Sequence, residues 1–385
     1  MLDIIIIGGG INGAGIARDA AGRGLKTCLV EKNKIGSATS SWSTKLIHGG
    51  LRYLENYQFR LVRESLKERE IIKKIAPNIT SEIPFLIPHS KYLRPMWLIK
   101  LGLILYDSMG GHNTIPKSKK FNFYKQCNYL LKDTYKKGFI YYDLQVDDKK
   151  LSQLNAKDAR SNGASILENT EVISTERKES YWNIYLNNNK KLQSKILINA
   201  TGPWINNVQN NIINIKTSKK LRLVKGSHIV IKNRYANQYG LTLQNDDKRI
   251  VFVIPYKNNT SLIGTTEVEV KNPEDNLIDD NEIEYLLSAT NKYLKQPILK
   301  DEIISTFSGI RPLVEDYNLN NSKLSRDYLL DLNTDDNLAP LLSIYGGKLT
   351  TYRRLAEKAL LNLKNYLPLN TNKNWTDKKV LPDML

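Results

Sequence analysis

Leu2-Asp3-Ile4-Ile5-Ile6-Ile7-Gly8-Gly9-Gly10-Ile11-Asn12-Gly13 opens the chain, and its reading decides the fold. A short unbroken apolar run that ends on glycines reads as a strand of a parallel sheet, buried on both faces. The glycines spell G-x-G-x-x-G ahead of a helix over about Gly13 to Arg23, and a second strand follows over Lys26 to Glu31. Such a βαβ start is an entrance for a dinucleotide. Glycine lets the backbone turn tightly and approach a pyrophosphate, whose charge meets free N–H groups at the helix N-terminus. Gly8, Gly10, Asn12 and Gly13 are therefore candidate cofactor residues, and Glu31 is placed to accept hydrogen bonds from ribose hydroxyls. With no basic n-region and no small-residue cleavage site, the run is read as a first strand and not as a signal peptide.

Working outward, 385 residues exceed the size at which one hydrophobic core stops growing, so two closely packed domains are expected. Lys and Arg number 57 against 39 Asp and Glu, a formal charge of +18 that favours contact with anions such as phosphate ligands or acidic lipid. The basic residues are scattered and no nucleic-acid-binding module is visible, so no nucleic-acid partner is expected. Cys28 and Cys127 are too few for a disulfide framework, which favours a reduced, cytoplasmic compartment. The apolar stretch Met96 to Tyr106 is far below the ~20 residues needed to span a bilayer. It reads as a core helix or as an interfacial helix with Trp97 and Lys100 at the headgroups. His48, His89, His112 and His228 are dispersed, no zinc-type spacing or phosphate loop occurs, and no metal site is expected.

An amphipathic helix is predicted over about Leu61 to Ala76, most of its charges facing solvent, with Pro77 as its stop. Strands over Ser165 to Val172, Tyr181 to Leu186 and Lys195 to Ala200 return to the first sheet, closing on Asn199-Ala200-Thr201-Gly202-Pro203. The β-rich segments between 221 and 268 suggest an inserted antiparallel sheet. A helix over Asp280 to Leu294, a strand over Ile303 to Gly309, Leu342 to Gly347 and a helix from Thr350 to about Leu363 complete the pattern. The expected fold is α/β. A Rossmann-like nucleotide domain (1–90, 140–205, 305–370) is interleaved with an antiparallel-sheet substrate domain (91–139, 206–304), and 371–385 form a tail.

The fingerprint alone does not separate NAD from FAD. Further blocks do: Thr39-Ser40-Ser41-Trp42-Ser43-Thr44-Lys45-Leu46-Ile47-His48-Gly49-Gly50-Leu51-Arg52-Tyr53-Leu54, Asn199 to Trp204, Lys225-Gly226-Ser227-His228, Gly309-Ile310-Arg311-Pro312-Leu313 and Gly346-Gly347-Lys348-Leu349-Thr350-Thr351-Tyr352. With the opening glycines, the sequence resembles the FAD-dependent glycerol-3-phosphate dehydrogenases, which have a D-amino-acid-oxidase-like flavoprotein architecture. The resemblance runs to about Leu381. Family members continue into a C-terminal helical domain without counterpart here, which bears on oligomerisation, including a homodimer, and on acceptor contact.

The resemblance implies hydride transfer from C2 of glycerol 3-phosphate to flavin N5, yielding dihydroxyacetone phosphate, with electrons passed to ubiquinone or another quinone. It also implies peripheral association with the inner face of an anionic cell membrane. Such a site needs several cationic donors around one phosphate dianion. Arg52, Arg311 and Lys348 meet that need, with Tyr53 and Thr266 as hydroxyl donors. Arg311, Lys348 and His48 are the catalytic candidates. Ser40, Ser41, Lys45, Leu46 and His48 belong to the segment expected beneath the isoalloxazine ring. Val172, Ala200 and Gly202 are expected along the dinucleotide, and Gly347, Lys348, Leu349 and Thr350 at the reduced flavin, where a helix start steadies negative charge. The alternatives are an oxidase of the same substrate using oxygen, an amino-acid oxidase on the same scaffold, and a truncated, non-catalytic flavin-binding protein.

Overall fold

The structure, a computed structural model, describes residues 1–111, 114–127, 129–232, 239–314, 327–368 and 374–383; His112 lies outside them. One sheet runs in the order Tyr328–Asn333, Leu341–Gly346, Lys191–Asn199, Leu2–Ile7, Thr27–Val30, Ser165–Leu167. From Leu341–Gly346 to Ser165–Leu167 the pairings are parallel, and Ile5 stands between Leu197 and Cys28. Ile4, Ile5 and Ile6 are fully buried, each contributing roughly 1.5–3 kcal/mol from apolar burial. The helix Ile11–Gly22 lies against Asp148–Ser161 and Tyr352–Asn362. Its Ala14, Ala17, Ala20 and Ala21 allow this close approach.

The second sheet contains Val268–Val270, Leu221–Lys232, Thr260–Gly264, Ile250–Tyr256, Gly240–Gln244, Thr80–His89, Lys137–Val146 and Leu46–Ile47 in that order, with Ile303–Val314 alongside Leu221–Lys232. Among the described residues its pairings are antiparallel except that between Gly240–Gln244 and Thr80–His89. Thr80–His89, Lys137–Val146 and Ile303–Val314 fall largely in stretches expected in the nucleotide half, yet they hydrogen-bond into this second sheet. Local pattern marks a strand, but the partner is chosen by the whole chain.

Two features carry no mark in the local sequence pattern. The amphipathic helix spans Phe59–Ile75, and most of its charged residues reach solvent as expected, while Glu68 and Arg69 are buried. Each has a distant partner: Arg353 Nη2 sits 2.6 Å from Glu68 Oε1, and Arg69 Nη1 sits 2.8 Å from Asp143 Oδ1. Removing one member of such a pair leaves a buried charge uncompensated, a cost of about 3–5 kcal/mol. The expected tail, within residues 374–383, is docked. Trp375 lies in the space beside Gly22 and under the Arg18 guanidinium, and Arg18 donates to the carbonyls of Thr376 and Lys379 at 3.3 and 2.8 Å.

The Met96–Met109 helix divides into a buried and an exposed face. Ile99, Leu103 and Tyr106 are buried, whereas Trp97, Leu98, Leu101 and Ile104 are exposed. No helix among the described residues is long and apolar enough to cross a membrane.

Candidate active site

The glycine turn leaves the Leu2–Ile7 strand at Gly8, whose φ of +105° is open to glycine and whose position leaves no room for a side chain: an added Cβ would lie 2.6 Å from Ala200 O. Gly10 caps the helix start, Ile11 N–H donates to Ser40 Oγ at 2.9 Å, and Asn12 Nδ2 donates to Gly346 O at 3.2 Å. These two bonds draw the segments around Ser40 and Gly346 onto the helix N-terminus. Glu31 stands just past Thr27–Val30 and accepts from the N–H groups of Gly9 and Asn33 at 2.6 and 2.8 Å.

A cavity of about 400 Å³ opens here, lined by Gly8, Gly10, Glu31, Ser40, Val172, Ala200 and Gly202 among others. Lys32, Asn33, Thr170 and Trp204 also line it and were not singled out in the sequence, because loop residues beside a motif carry no pattern of their own. Space is left where a ligand needs it: nothing lies within 4 Å of a Cβ added at Gly202, whose φ is +58°. Asn12 Oδ1 is buried without a hydrogen-bond partner, a state that buried polar atoms rarely hold. An acidic ribose acceptor, an open glycine cleft and a helix N-terminus fit an adenine dinucleotide.

Beyond the turn, Ser41 donates to Gly36 O. Lys45 Nζ donates to Ser41 O and pairs with Asp148 Oδ1 at 2.7 Å, while its backbone N–H donates to Ser43 Oγ at 3.0 Å and its carbonyl accepts from Val146 N–H at 2.9 Å, so Lys45 fixes the segment from both ends. Leu46 begins the short strand Leu46–Ile47, and His48 follows it. His48 N–H donates to Thr350 Oγ1, which donates in turn to His48 O, both at 3.3 Å. Gly347, with φ +99°, leads into Lys348 and the helical turn Leu349–Thr351. Sequence blocks some 300 residues apart thus form one wall.

Two of the three cationic candidates reach one short loop, and the third stands beside Tyr53. Arg311 Nη2 donates to Thr265 Oγ1 at 3.0 Å, and Arg52 Nη2 lies 3.8 Å from Glu267 Oε1. Lys348 Nζ stands 5.2 Å from the centre of the Tyr53 ring, next in sequence to Arg52. Thr266 is not the available hydroxyl. It is buried, accepts from Ser227 N–H at 2.9 Å and donates to Glu282 Oε1 at 2.6 Å. Thr265 occupies the position beside Arg311 instead. Both threonines lie past the end of Thr260–Gly264, where strand alternation no longer tells facing from buried.

Part of the Lys225-Gly226-Ser227-His228 block is structural. Lys225 Nζ pairs with Glu282 Oε2 at 2.8 Å, and Ser227 Oγ donates to Glu282 Oε1 at 2.7 Å. His228 is fully buried against Phe307, 4.8 Å between ring centres, with Nε2 3.0 Å from Thr44 Oγ1. Burial, then the charges of Arg311 and Lys45, hold its pKa well below 6.5, so the imidazole is neutral. Among the described residues no cluster of three His, Cys, Asp or Glu side chains is arranged to hold a metal ion.

A parallel sheet with a glycine fingerprint, beside a larger and mainly antiparallel sheet whose strand Ile303–Val314 carries Arg311, defines the class of flavin-dependent oxidoreductases. The family model described as FAD dependent oxidoreductase (DAO) matches residues 3–353, and the chain belongs to that family. It is 43% identical over 387 residues to the D-erythritol 1-phosphate dehydrogenase of Brucella abortus, an alignment covering 99% of this chain and 77% of that protein. It is 45% identical over 386 residues to the aerobic glycerol-3-phosphate dehydrogenase of Escherichia coli, covering 99% of this chain and 76% of that one. The glycerol-3-phosphate dehydrogenase from Bacillus halodurans, solved in complex with FAD, superposes with a TM-score of 0.73 at 28% identity, covering 97% of this chain and 66% of that one. The D-amino-acid-oxidase-like fold and the FAD cofactor expected from the sequence are thereby established.

Proposed function

We propose that this oxidoreductase converts the secondary alcohol of a small polyol phosphate to a ketone, with sn-glycerol 3-phosphate as substrate and dihydroxyacetone phosphate as product. The observation that carries this reading is the attachment of Arg52 and Arg311 to the single loop Thr265 to Glu267, with Lys348 beside Tyr53. Two guanidiniums on one loop, with an ammonium beside the residue next to Arg52, suit a phosphate dianion.

Gly8, Gly10, Asn12, Gly13, Glu31, Ser40, Ser41, Val172, Ala200 and Gly202, with the segments 45–48 and 347–350, would hold FAD, which when bound would supply the hydride acceptor. Arg52 and Arg311 bind the phosphate and orient the chain of the polyol. Lys348 stabilises the developing alkoxide at C2. His48 accepts the hydroxyl proton as hydride leaves C2, which balances one proton and one hydride against the new carbonyl. The relative that acts on D-erythritol 1-phosphate, by its name, supports a second substrate of the same chemistry.

The test is a visible spectrum of the anaerobic holoenzyme before and after each polyol phosphate. Loss of the oxidised-flavin band with glycerol 3-phosphate is the expected result. Bleaching by D-erythritol 1-phosphate alone would move the assignment to that substrate, and no bleaching by either would overturn it.

The same reading makes the acceptor a quinone and the enzyme a cytoplasmic protein peripheral to the inner face of the membrane. A homodimer is compatible with it. The exposed face of Met96–Met109, bearing Trp97, Leu98, Leu101 and Ile104, has the composition of an interfacial anchor, with Lys100 on the same helix. Co-sedimentation with vesicles containing anionic lipid at low salt is expected, and should weaken severalfold in a Trp97→Ser, Leu101→Ser double variant. Equal sedimentation of both proteins would remove this helix from the membrane contact.

A further inference from the structure

The turn that carries His48 and Arg52 is held from beneath by a side chain outside every motif. Gly49 N–H donates to Tyr106 Oη at 2.7 Å. Tyr106 in turn reaches the Asp143 carboxylate, with Oη 2.8 and 2.9 Å from its two oxygens. Arg69 Nη1 donates to Asp143 Oδ1 at 2.8 Å and to Tyr142 O at 3.0 Å, and the guanidinium lies 5.7 Å from the centre of the Tyr106 ring. Burial pushes the Asp143 carboxyl up to about 6, opposed by the charge and hydrogen bond of Arg69 and by the Tyr106 hydroxyl.

Gly49 rests directly on this group. A Cβ there would come within 2.6 Å of both Leu66 and the Tyr106 ring. Gly50 then turns the chain at φ +78°, and the helical segment Leu51–Asn56 presents Arg52 and Tyr53. The turn therefore has two described tethers on consecutive residues, Thr350 at His48 and Tyr106 at Gly49. For packing, a phenylalanine would fill the space of Tyr106 equally well. Its hydroxyl serves the Gly49 amide and Asp143, and a buried carboxylate is a costly companion to keep without a function.

We propose that Tyr106, oriented by Asp143 and Arg69, is a positioning residue that fixes Gly49 and so sets the approach of Arg52 and Tyr53 to the substrate phosphate. This rests on the reading of Arg52 and Arg311 as a phosphate site. The helix that offers one face to lipid holds the substrate turn with the other.

The test compares wild type, Tyr106→Phe and Leu103→Val as full-length holoenzymes. Leu103 is buried on the same helix and its trimming loosens packing without touching the hydroxyl. Tyr106→Phe should raise KM for glycerol 3-phosphate and the dissociation constant for inorganic phosphate, measured by calorimetry, about tenfold. Its kcat should stay within about twofold and its flavin content should not change. Leu103→Val should lower Tm and leave both constants unmoved. Unchanged constants in Tyr106→Phe, or equal rises in Leu103→Val, would overturn the proposal, as would a wild type that does not bind phosphate. If wild type binds phosphate but does not oxidise glycerol 3-phosphate, only the substrate reading fails, and the phosphate constants still decide the tether.

Discussion

Arg311→Ala lowers kcat/KM for glycerol 3-phosphate by roughly 10³-fold while the purified protein keeps its full complement of flavin. Arg311 sits on Ile303–Val314, in register opposite Val224 on Leu221–Lys232, and is aimed across Gly226, where an added Cβ would lie 2.5 Å from Nη2. Its guanidinium is thus placed by sheet geometry, and alanine removes the donors without disturbing the strand. The loss expected for charge-assisted donors to a dianion and its transition state is about 4 kcal/mol, which gives the quoted factor. Arg311→Lys restores the charge but not the planar fork, and should recover only part of the loss. Steady-state kinetics and the ratio of flavin to protein absorbance check both variants. Turnover close to wild type in Arg311→Ala would take Arg311 out of the phosphate site, whereas loss of flavin would make its role structural.

Gly13→Ala yields protein without flavin. A Cβ at residue 13 would fall 1.9 Å from Gly8 O. Both groups are backbone, so no side chain can swing away, and the helix Ile11–Gly22 has to shift from the strand end that it caps. Overpacking of this kind costs about 1–3 kcal/mol, and here it falls on the amides proposed to meet the pyrophosphate. Affinity for FAD should drop tenfold or more, since about 1.4 kcal/mol corresponds to tenfold. Gly102→Ala serves as the control, because its Cβ would lie 3.8 Å from Leu51, an ordinary contact. Equal flavin content in the two variants, with circular dichroism showing both folded, would contradict the close-approach role of Gly13.

The opening strand and its glycines were legible because everything they report is local: an apolar run, a turn and a helix start within a dozen residues. The antiparallel segments were legible as strands, but the partners of Thr80–His89 and Lys137–Val146 were not, because pairing is settled by tertiary packing. The same distance hid the charge pairs. The helix period places Glu68 and Arg69 on Phe59–Ile75, yet nothing in it announces Arg353 or Asp143. At the site, Arg52, Arg311 and Lys348 come from motifs, and the structure brings Arg52 and Arg311 to one loop with Lys348 beside Tyr53. Thr266 was read in place of Thr265 because the choice depends on a bend beyond a strand end. Tyr106 belongs to no motif and left no signal.

The strand order has a consequence for how the protein is made. Leu2–Ile7 finds its neighbours in Thr27–Val30 and in Lys191–Asn199, and the next strand outward is Leu341–Gly346. The ribosome therefore releases the first strand long before its permanent cover exists. At roughly 10 residues per second, about half a minute separates the emergence of Ile4 to Ile7 from that of the strand that completes their sheet. Throughout that interval a bare apolar edge has to be shielded from other nascent chains, and flavin has no finished seat to enter. Yield in a cell is thus governed by chaperone capacity and translation speed as well as by the stability of the finished molecule.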